Sequence, residues 1–228
     1  MTDIAFISDI HGNYPALRAV LSDIDSRGIK NIVCLGDLVG YYSMINEVID
    51  TIKKREIKCI IGNHDFALLY NNGIIERSKT CTDILKKQKE FISTENQKYL
   101  TQLTQSVLVE HISTFYCVHG GLIDPIDEYL ELVDESYFLK NNFEYQILAT
   151  GHTHKLINKT IGKFTHINPG SVGQPRDGDW RSSYLVTNGI NHKHIRVEYE
   201  VDEIVTDMKN RNFEDYIFKG LYTGEKIA

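Results

Sequence analysis

The sequence lacks any cysteine pairing motif. Cys34, Cys59, Cys81 and Cys117 include no CxxC pair, and three of the four sit inside apolar runs, the setting of reduced, buried thiols. A basic excess is also missing. Acidic residues number 31 against 25 basic ones, and the net charge of −6 disfavours a duplex nucleic-acid partner, which needs a cationic patch. No apolar run approaches the roughly 20 residues that span a bilayer, so no membrane partner is expected. The opening residues, Met1-Thr-Asp-Ile-Ala-Phe-Ile-Ser-Asp9, have no basic stretch ahead of an apolar one and read as a strand, which leads us to expect a cytoplasmic protein. Internal repeats, low-complexity tracts and linkers are absent too. What remains is an ordinary globular balance, 42% hydrophobic and 25% charged, over 228 residues. We read it as a single domain, 1–228, with a polar helical insert at 66–105.

One pattern dominates what is present. Short apolar runs end in Gly, Asp, Asn or His. Ile4–Ile7 leads to Ser8-Asp9-Ile10-His11-Gly12, and Ile32–Leu35 to Gly36-Asp37. Cys59–Ile61 leads to Gly62-Asn63-His64-Asp65, Phe115–Val118 to His119-Gly120-Gly121, and Ile147–Ala149 to Gly151-His152-Thr153-His154. Continuous apolar runs of this length suit strands buried on both faces. Polar groups just past their carboxyl ends mark a site, because α/β sheets bind ligands there.

Helices separate the first strands. Leu17, Val20, Leu21 and Ile24 share one helical face, with Asn13 as N-cap and Gly28 as stop. Ile45, Val48, Ile49 and Ile52 repeat the spacing, so residues 1–65 read βαβαβ. Thr94 with Gln97 reads as a capping box. Two short strands are expected around Gly162, and two more at Ser183–Thr187 and Ile195–Val201 flanking the Asn188-Gly189 turn, followed by a helix near Asp202–Lys209. Lys86-Lys87-Gln88-Lys89 and His192-Lys193-His194 are read as solvated surface.

The strand-end groups Asp9, His11, Asp37, Asn63, His119, His152 and His154 are carboxylate, amide and imidazole donors of the kind divalent first-row metals accept. Seven donors exceed what one four-coordinate zinc takes. They suit two ions sharing a carboxylate, and Asp37, alone in its tight turn, is the natural bridge. Two ions about 3.5–4 Å apart are the recurrent device for in-line attack at phosphorus.

Asp9-Ile-His11, Gly36-Asp37, Gly62-Asn-His-Asp65, His119 and Gly151-His-Thr-His154, complete and in order, resemble the motif set of the calcineurin-like metallophosphoesterases. The Asn168-Pro-Gly-Ser-Val-Gly-Gln-Pro-Arg-Asp-Gly178 stretch is similar to a signature of the compact bacterial phosphodiesterase/phosphatase subgroup. The resemblance implies an α/β fold, a four-layer αββα sandwich of two mixed β-sheets flanked by helices. It implies one divalent ion on Asp9, His11, Asp37 and His154 and another on Asp37, Asn63, His119 and His152. The metals would be Mn, Fe, Zn, Co or Ni, with Mn favoured, and a bridging hydroxide would attack phosphorus. His64 would act at the leaving group, with Asp65 orienting its ring.

Some residues keep two readings. Asn13 is an N-cap and a candidate substrate-binding residue. Arg176 is a candidate phosphate clamp, or the partner of Asp177 or Asp179. Tyr42 and Gly121 depart from the subgroup pattern and are candidates to line the mouth, and Tyr41 or Tyr42 to stack on a base. The expected substrate is a small phosphoester, a nucleotide or dinucleoside polyphosphate ahead of phosphoprotein or duplex DNA. The alternative in another class is a catalytically silent metal-binding scaffold of the same fold, which the retention of His64 disfavours. A nuclease reading is disfavoured by the acidic balance.

Overall fold

The computed structural model of the chain describes residues 3–70 and 79–225; residues 71–78, inside the expected insert, lie outside the described residues. The first half runs β1 (Ile4–Ile7), α1 (Tyr14–Ser26), β2 (Asn31–Cys34), α2 (Ile45–Lys54), β3 (Lys58–Cys59), α3 (Asn63–Tyr70), α4 (Lys79–Phe91) and α5 (Thr94–Leu100). Then follow β4 (Ser106–Glu110), β5 (Thr114–Val118), α6 (Glu135–Lys140), β6 (Ile147–Ala149), β7 (Leu156–Ile161), β8 (Phe164–Pro169), β9 (Ser182–Thr187), β10 (His192–Val197) and α7 (Val201–Asn210).

The strands form two mixed five-stranded sheets, ordered β10-β9-β1-β2-β3 and β4-β5-β6-β8-β7. In the first, β1, β2 and β3 are parallel and β9 runs antiparallel to β1. In the second, β5, β6 and β8 are parallel, with β4 and β7 as antiparallel edges. The period-2 alternation explains why β1 is apolar throughout. Ile4 and Phe6 face the second sheet, where they join Phe115, Cys117, Ile147, Ala149 and Ile167. Ala5 and Ile7 face outward onto α1 and α2. Phe6 and Phe115 meet at the centre with ring centroids 5.1 Å apart.

The outer layers follow from the helix periodicity. Leu17, Val20, Leu21 and Ile24 of α1 and Ile45, Val48, Ile49 and Ile52 of α2 are all buried against the first sheet. Each contributes roughly 1.5–3 kcal/mol of transfer free energy. Ile204, Val205 and Met208 of α7 complete that layer. The outer face of the second sheet is covered more thinly, by Phe138 of the six-residue α6 on Leu148 and Phe164. Together these give the expected αββα layering. No described helix is long and apolar enough to cross a membrane.

Four local expectations are corrected. The strand expected at Ile195–Val201 is β10, His192–Val197, because its partner β9 begins at Ser182, which pairs with Val197. Beyond that point no ladder remains, so Tyr199 turns inward and Val201 opens α7. Ser93, not Thr94, caps α5: it holds the extended backbone a cap requires, and its hydroxyl accepts from the Asn96 amide. Gln88, read as part of a wet lysine face, is buried and bonds the backbone of Gly40 and Tyr42. His192 and His194 are half-buried rather than solvated, and His194 Nε2 donates to the Asn168 carbonyl. The β4 strand carried no clear sequence signal of its own and forms by pairing with β5.

Candidate metal centre

The strand-end turns converge at the carboxyl ends of β1, β2, β5 and β6, and their backbone is strained. Asp9 (φ 53°), His11 (53°), Asp37 (57°), Tyr41 (51°), His152 (64°) and His154 (59°) all occupy the left-handed region without being glycine. Such residues cost about 1–3 kcal/mol each and persist only where the surroundings over-determine them. Here the surroundings do. Asp9 N–H donates to Gly36 O, and Ile10 and His11 N–H both donate to Asp37 O, at 2.9–3.0 Å. Ser171 Oγ and Gly173 N–H brace the Asp9 carbonyl from the 168–178 stretch.

Asp65 supplies much of this bracing. Its carboxylate accepts from the N–H groups of Asp37, Leu38, Val39 and Gly62, at 2.9–3.0 Å. Burial and the neighbouring Asp37 charge push its carboxyl up to about 7, against four donors that favour the ionised form. The expectation that Asp65 orients the His64 ring is therefore corrected: its oxygens are committed to the β2 turn. What lies beside His64 Nδ1 is Cys81 Sγ, at 3.6 Å, delivered by α4. Gly62 is required here, since a Cβ would sit 2.1 Å from Asp37 Oδ1.

The donor atoms face one another across the crater. His11, His119 and His154 each donate Nδ1–H to a backbone carbonyl, of Val39, Leu35 and Gln174, at 2.8, 2.7 and 2.5 Å. Their Nε2 atoms therefore point inward. His11 Nε2 and His154 Nε2 stand 3.0 Å apart, and His119 Nε2 lies 3.0 Å from Asn63 Oδ1. His154 Nε2 is 3.2 Å from Asp9 Oδ1, and His119 Nε2 is 3.3 Å from Asp37 Oδ2. Each carboxylate spends one oxygen on backbone: Asp9 Oδ2 accepts from His152 N–H, and Asp37 Oδ1 from His64 N–H. The other oxygens, Asp9 Oδ1 and Asp37 Oδ2, are buried and have no hydrogen-bond partner.

This set fits cations. Buried, unpartnered carboxylate oxygens and opposed imidazole lone pairs are each unfavourable alone, and one positive charge relieves both. Among the described residues, three donor groups have ligand atoms within 4.8 Å of one another: Asp9–His11–His154, Asp37–His119–His152, and an overlapping His11–Asp37–His64. Burial would push the Asp9 and Asp37 carboxyls up, but the His154 and His119 rings outweigh it and hold both low. Burial opposes charge on His119, yet Asp37, Asp9 and the Leu35 carbonyl push that ring up to about 10. Burial drives the His64 ring the other way, down to about 4, and His152 down to about 3.

All seven expected donors thus meet in one crater, with His64 at its edge. The two expected substrate residues part company. Asn13 is buried and fully used: its side chain accepts from Ala16 N–H and donates to Gly173 O and Tyr199 Oη, so the substrate reading is corrected to a cap that ties α1 to the 168–178 stretch. Arg176 stands at the rim and donates to Tyr41 Oη and Gln174 Oε1. It pairs with neither neighbouring acid, because Asp177 takes Arg196 and Asp179 takes Arg181. Tyr42 is buried, its hydroxyl accepting from Gln174, and does not line the mouth. Gly121 packs beneath Glu128 and Tyr137.

Three other residues complete the site. Gln174 holds His154 through its carbonyl and Arg176 through its side chain, and only its place inside the 168–178 stretch hinted at it. Tyr41, read as a platform for a base, lays its ring edge-on to His11 at 4.7 Å and beside His64 at 4.9 Å, walling the crater. Asp127 Oδ1 lies 3.5 Å from His152 Nε2, brought by a loop with no local signal.

A family model described as the calcineurin-like phosphoesterase superfamily domain matches residues 2–189. The chain is 32% identical to the uncharacterized protein MJ0912 of Methanocaldococcus jannaschii, with 97% of this chain and 98% of that protein covered. It is 26% identical to the phosphodiesterase YfcE of Escherichia coli, over 83% and 90% of the two chains. A crystal structure of a metallophosphoesterase from Sphaerobacter thermophilus superposes with a TM-score of 0.81 at 27% identity, covering 98% of this chain and 99% of that one. Pattern, fold and relatives agree: the chain is a phosphoesterase and belongs to the calcineurin-like phosphoesterase family.

Proposed function

We infer that the chain, acting as one unit, hydrolyses small phosphoesters with two divalent ions, manganese favoured. The observation that carries this is the pair of buried oxygens, Asp9 Oδ1 and Asp37 Oδ2, left without partners among three inward-facing Nε2 atoms. Asp9, His11, Asp37 and His154 would hold one ion, and Asp37, Asn63, His119 and His152 the other. Bound ions supply Lewis acidity, activating water at neutral pH and neutralising charge on the phosphoryl oxygens.

The protein's own residues do the rest. The Val39, Leu35 and Gln174 carbonyls fix three imidazoles in the tautomer that presents Nε2 to the crater. Asp65 holds the Asp37 turn in its strained geometry. His64 stays neutral by burial until an anionic phosphoryl group beside it favours the imidazolium, which then donates to the leaving oxygen. Arg176, lacking a carboxylate partner, is the candidate donor to a phosphate beyond the reacting one, which supports nucleotides or dinucleoside polyphosphates as substrates. Four free thiols support a reducing, cytoplasmic setting.

The test removes the ions with a chelator and measures hydrolysis of an aryl phosphodiester, a mononucleotide and a dinucleoside polyphosphate. Activity should vanish and return with Mn²⁺ at two ions per chain. Full turnover in ion-free protein would refute the reading.

A further inference from the structure

His152 is oriented differently from the other three crater histidines. Among the described residues no backbone carbonyl takes its ring N–H, and the carboxylate within 4 Å of the ring is that of Asp127, with Nε2 3.5 Å from Oδ1. With Nε2 turned to Asp127, Nδ1 is the ring nitrogen free to serve the group with Asp37 and His119, to which His152 belongs.

The loop that carries Asp127 is built to hold it there. It starts at His119, itself a crater donor. Gly120 N–H donates to Pro125 O and Gly121 N–H to Asp124 O, folding the loop back on itself. Asp124 Oδ1 accepts from the N–H groups of Ile126 and Asp127. Glu128 Oε2 ties the loop to Ile123 N–H and to the Tyr137 hydroxyl. Tyr129 sets its ring edge-on to His152 at 5.3 Å and donates its hydroxyl to Thr153 O, gripping the same turn. The Asp127 side chain is 6% exposed and, unlike His152, belongs to none of the donor groups found among the described residues.

We propose, resting on the two-ion reading above, that Asp127 is the positioning residue of the second ion pocket: it accepts Nε2–H of His152 and so presents Nδ1 to the ion shared with Asp37, Asn63 and His119. A carboxylate behind an imidazole fixes the tautomer and makes the metal-facing nitrogen more basic. The second pocket then differs from the first in kind. Its most exposed ligand is set by a side chain from a separate loop, where the first pocket is set by main chain.

Two measurements test this. Calorimetric Mn²⁺ titration of chelator-treated protein should show two sites. In Asp127→Ala one of the two sites should lose roughly 10–100-fold in affinity with the other unchanged, and Asp127→Glu should recover part of the loss. Unmoved affinities, or equal weakening of both sites, would overturn the proposal. Wild-type protein that takes a single ion would overturn the two-ion reading and this inference with it. On wild type alone, nitrogen-15 imidazole NMR of Zn²⁺-loaded protein should find Nε2 protonated in His152 but Nδ1 protonated in His11, His119 and His154. A protonated Nδ1 in His152 would remove Asp127 from the role.

Discussion

The two donor groups of the crater share a fold but not a construction. Asp9, His11 and His154 are sealed: none is more than 2% exposed, and both rings hang from backbone carbonyls. The group of Asp37, Asn63, His119 and His152 is open on one side, with the His152 side chain 13% exposed and facing Asp127 rather than main chain. Tyr41 walls the first group, while the loop after His119 edges the second. The main-chain partners, Val39 and Gln174, sit in turns beyond the strands that Asp65 and Ser171 pin through their N–H groups. The side-chain partner, Asp127, comes from a loop that the sheets do not pair. The comparison teaches that one side of the crater is sealed by main chain while the other is closed by a side chain from a separate loop.

The change with the largest expected effect abolishes the distinction. Asp37→Asn puts a neutral amide between the two groups, so both should lose their ions, and turnover should fall on the order of 10⁴-fold, the several kcal/mol that bound metal supplies. Metal analysis and initial rates check it together. Next, His64→Ala should leave the comparison intact: both ions stay, and turnover slows by roughly 10²–10⁴-fold, less with a good leaving group that needs no proton. An empty site in that variant would place His64 among the ligands, as its proximity to His11 and Asp37 allows.

Asp65→Asn sharpens the argument about main-chain control. The amide offers one acceptor oxygen and sets an NH₂ against N–H donors that now meet a carboxylate. Unfolding free energy should drop by about 2–4 kcal/mol, from two lost buried bonds, read as a lower Tm. The smallest effect concerns the rim of the sealed group. Arg176→Ala should raise KM roughly tenfold for a dinucleoside polyphosphate, one charge-assisted hydrogen bond's worth, and leave KM for an aryl phosphate unmoved. Equal changes on both substrates would take Arg176 out of the site.

Sequence alone marked β1, β2, β3, β5 and β6, their βαβαβ order up to β3, and the polar residues at their ends. Those follow from residue type and period: apolar runs buried on both faces, then the few residue types that tolerate a left-handed turn and bind cations. The facing of particular side chains was decided elsewhere. His64 and Asp65 are adjacent in sequence, yet they open α3, where successive residues project about 100° apart and do not face each other. Asp65 consequently turns to the β2 loop and Cys81, seventeen residues on, meets His64. Tyr42 is buried and Tyr41 stands at the crater because the strained φ of Tyr41 swings one ring out and drives the next inward. Asp127 and His152, Arg176 and Tyr41, and Asn13 and Tyr199 are brought together by the packing of loops far apart in the chain, and such contacts leave no local pattern because no period of the chain relates their partners.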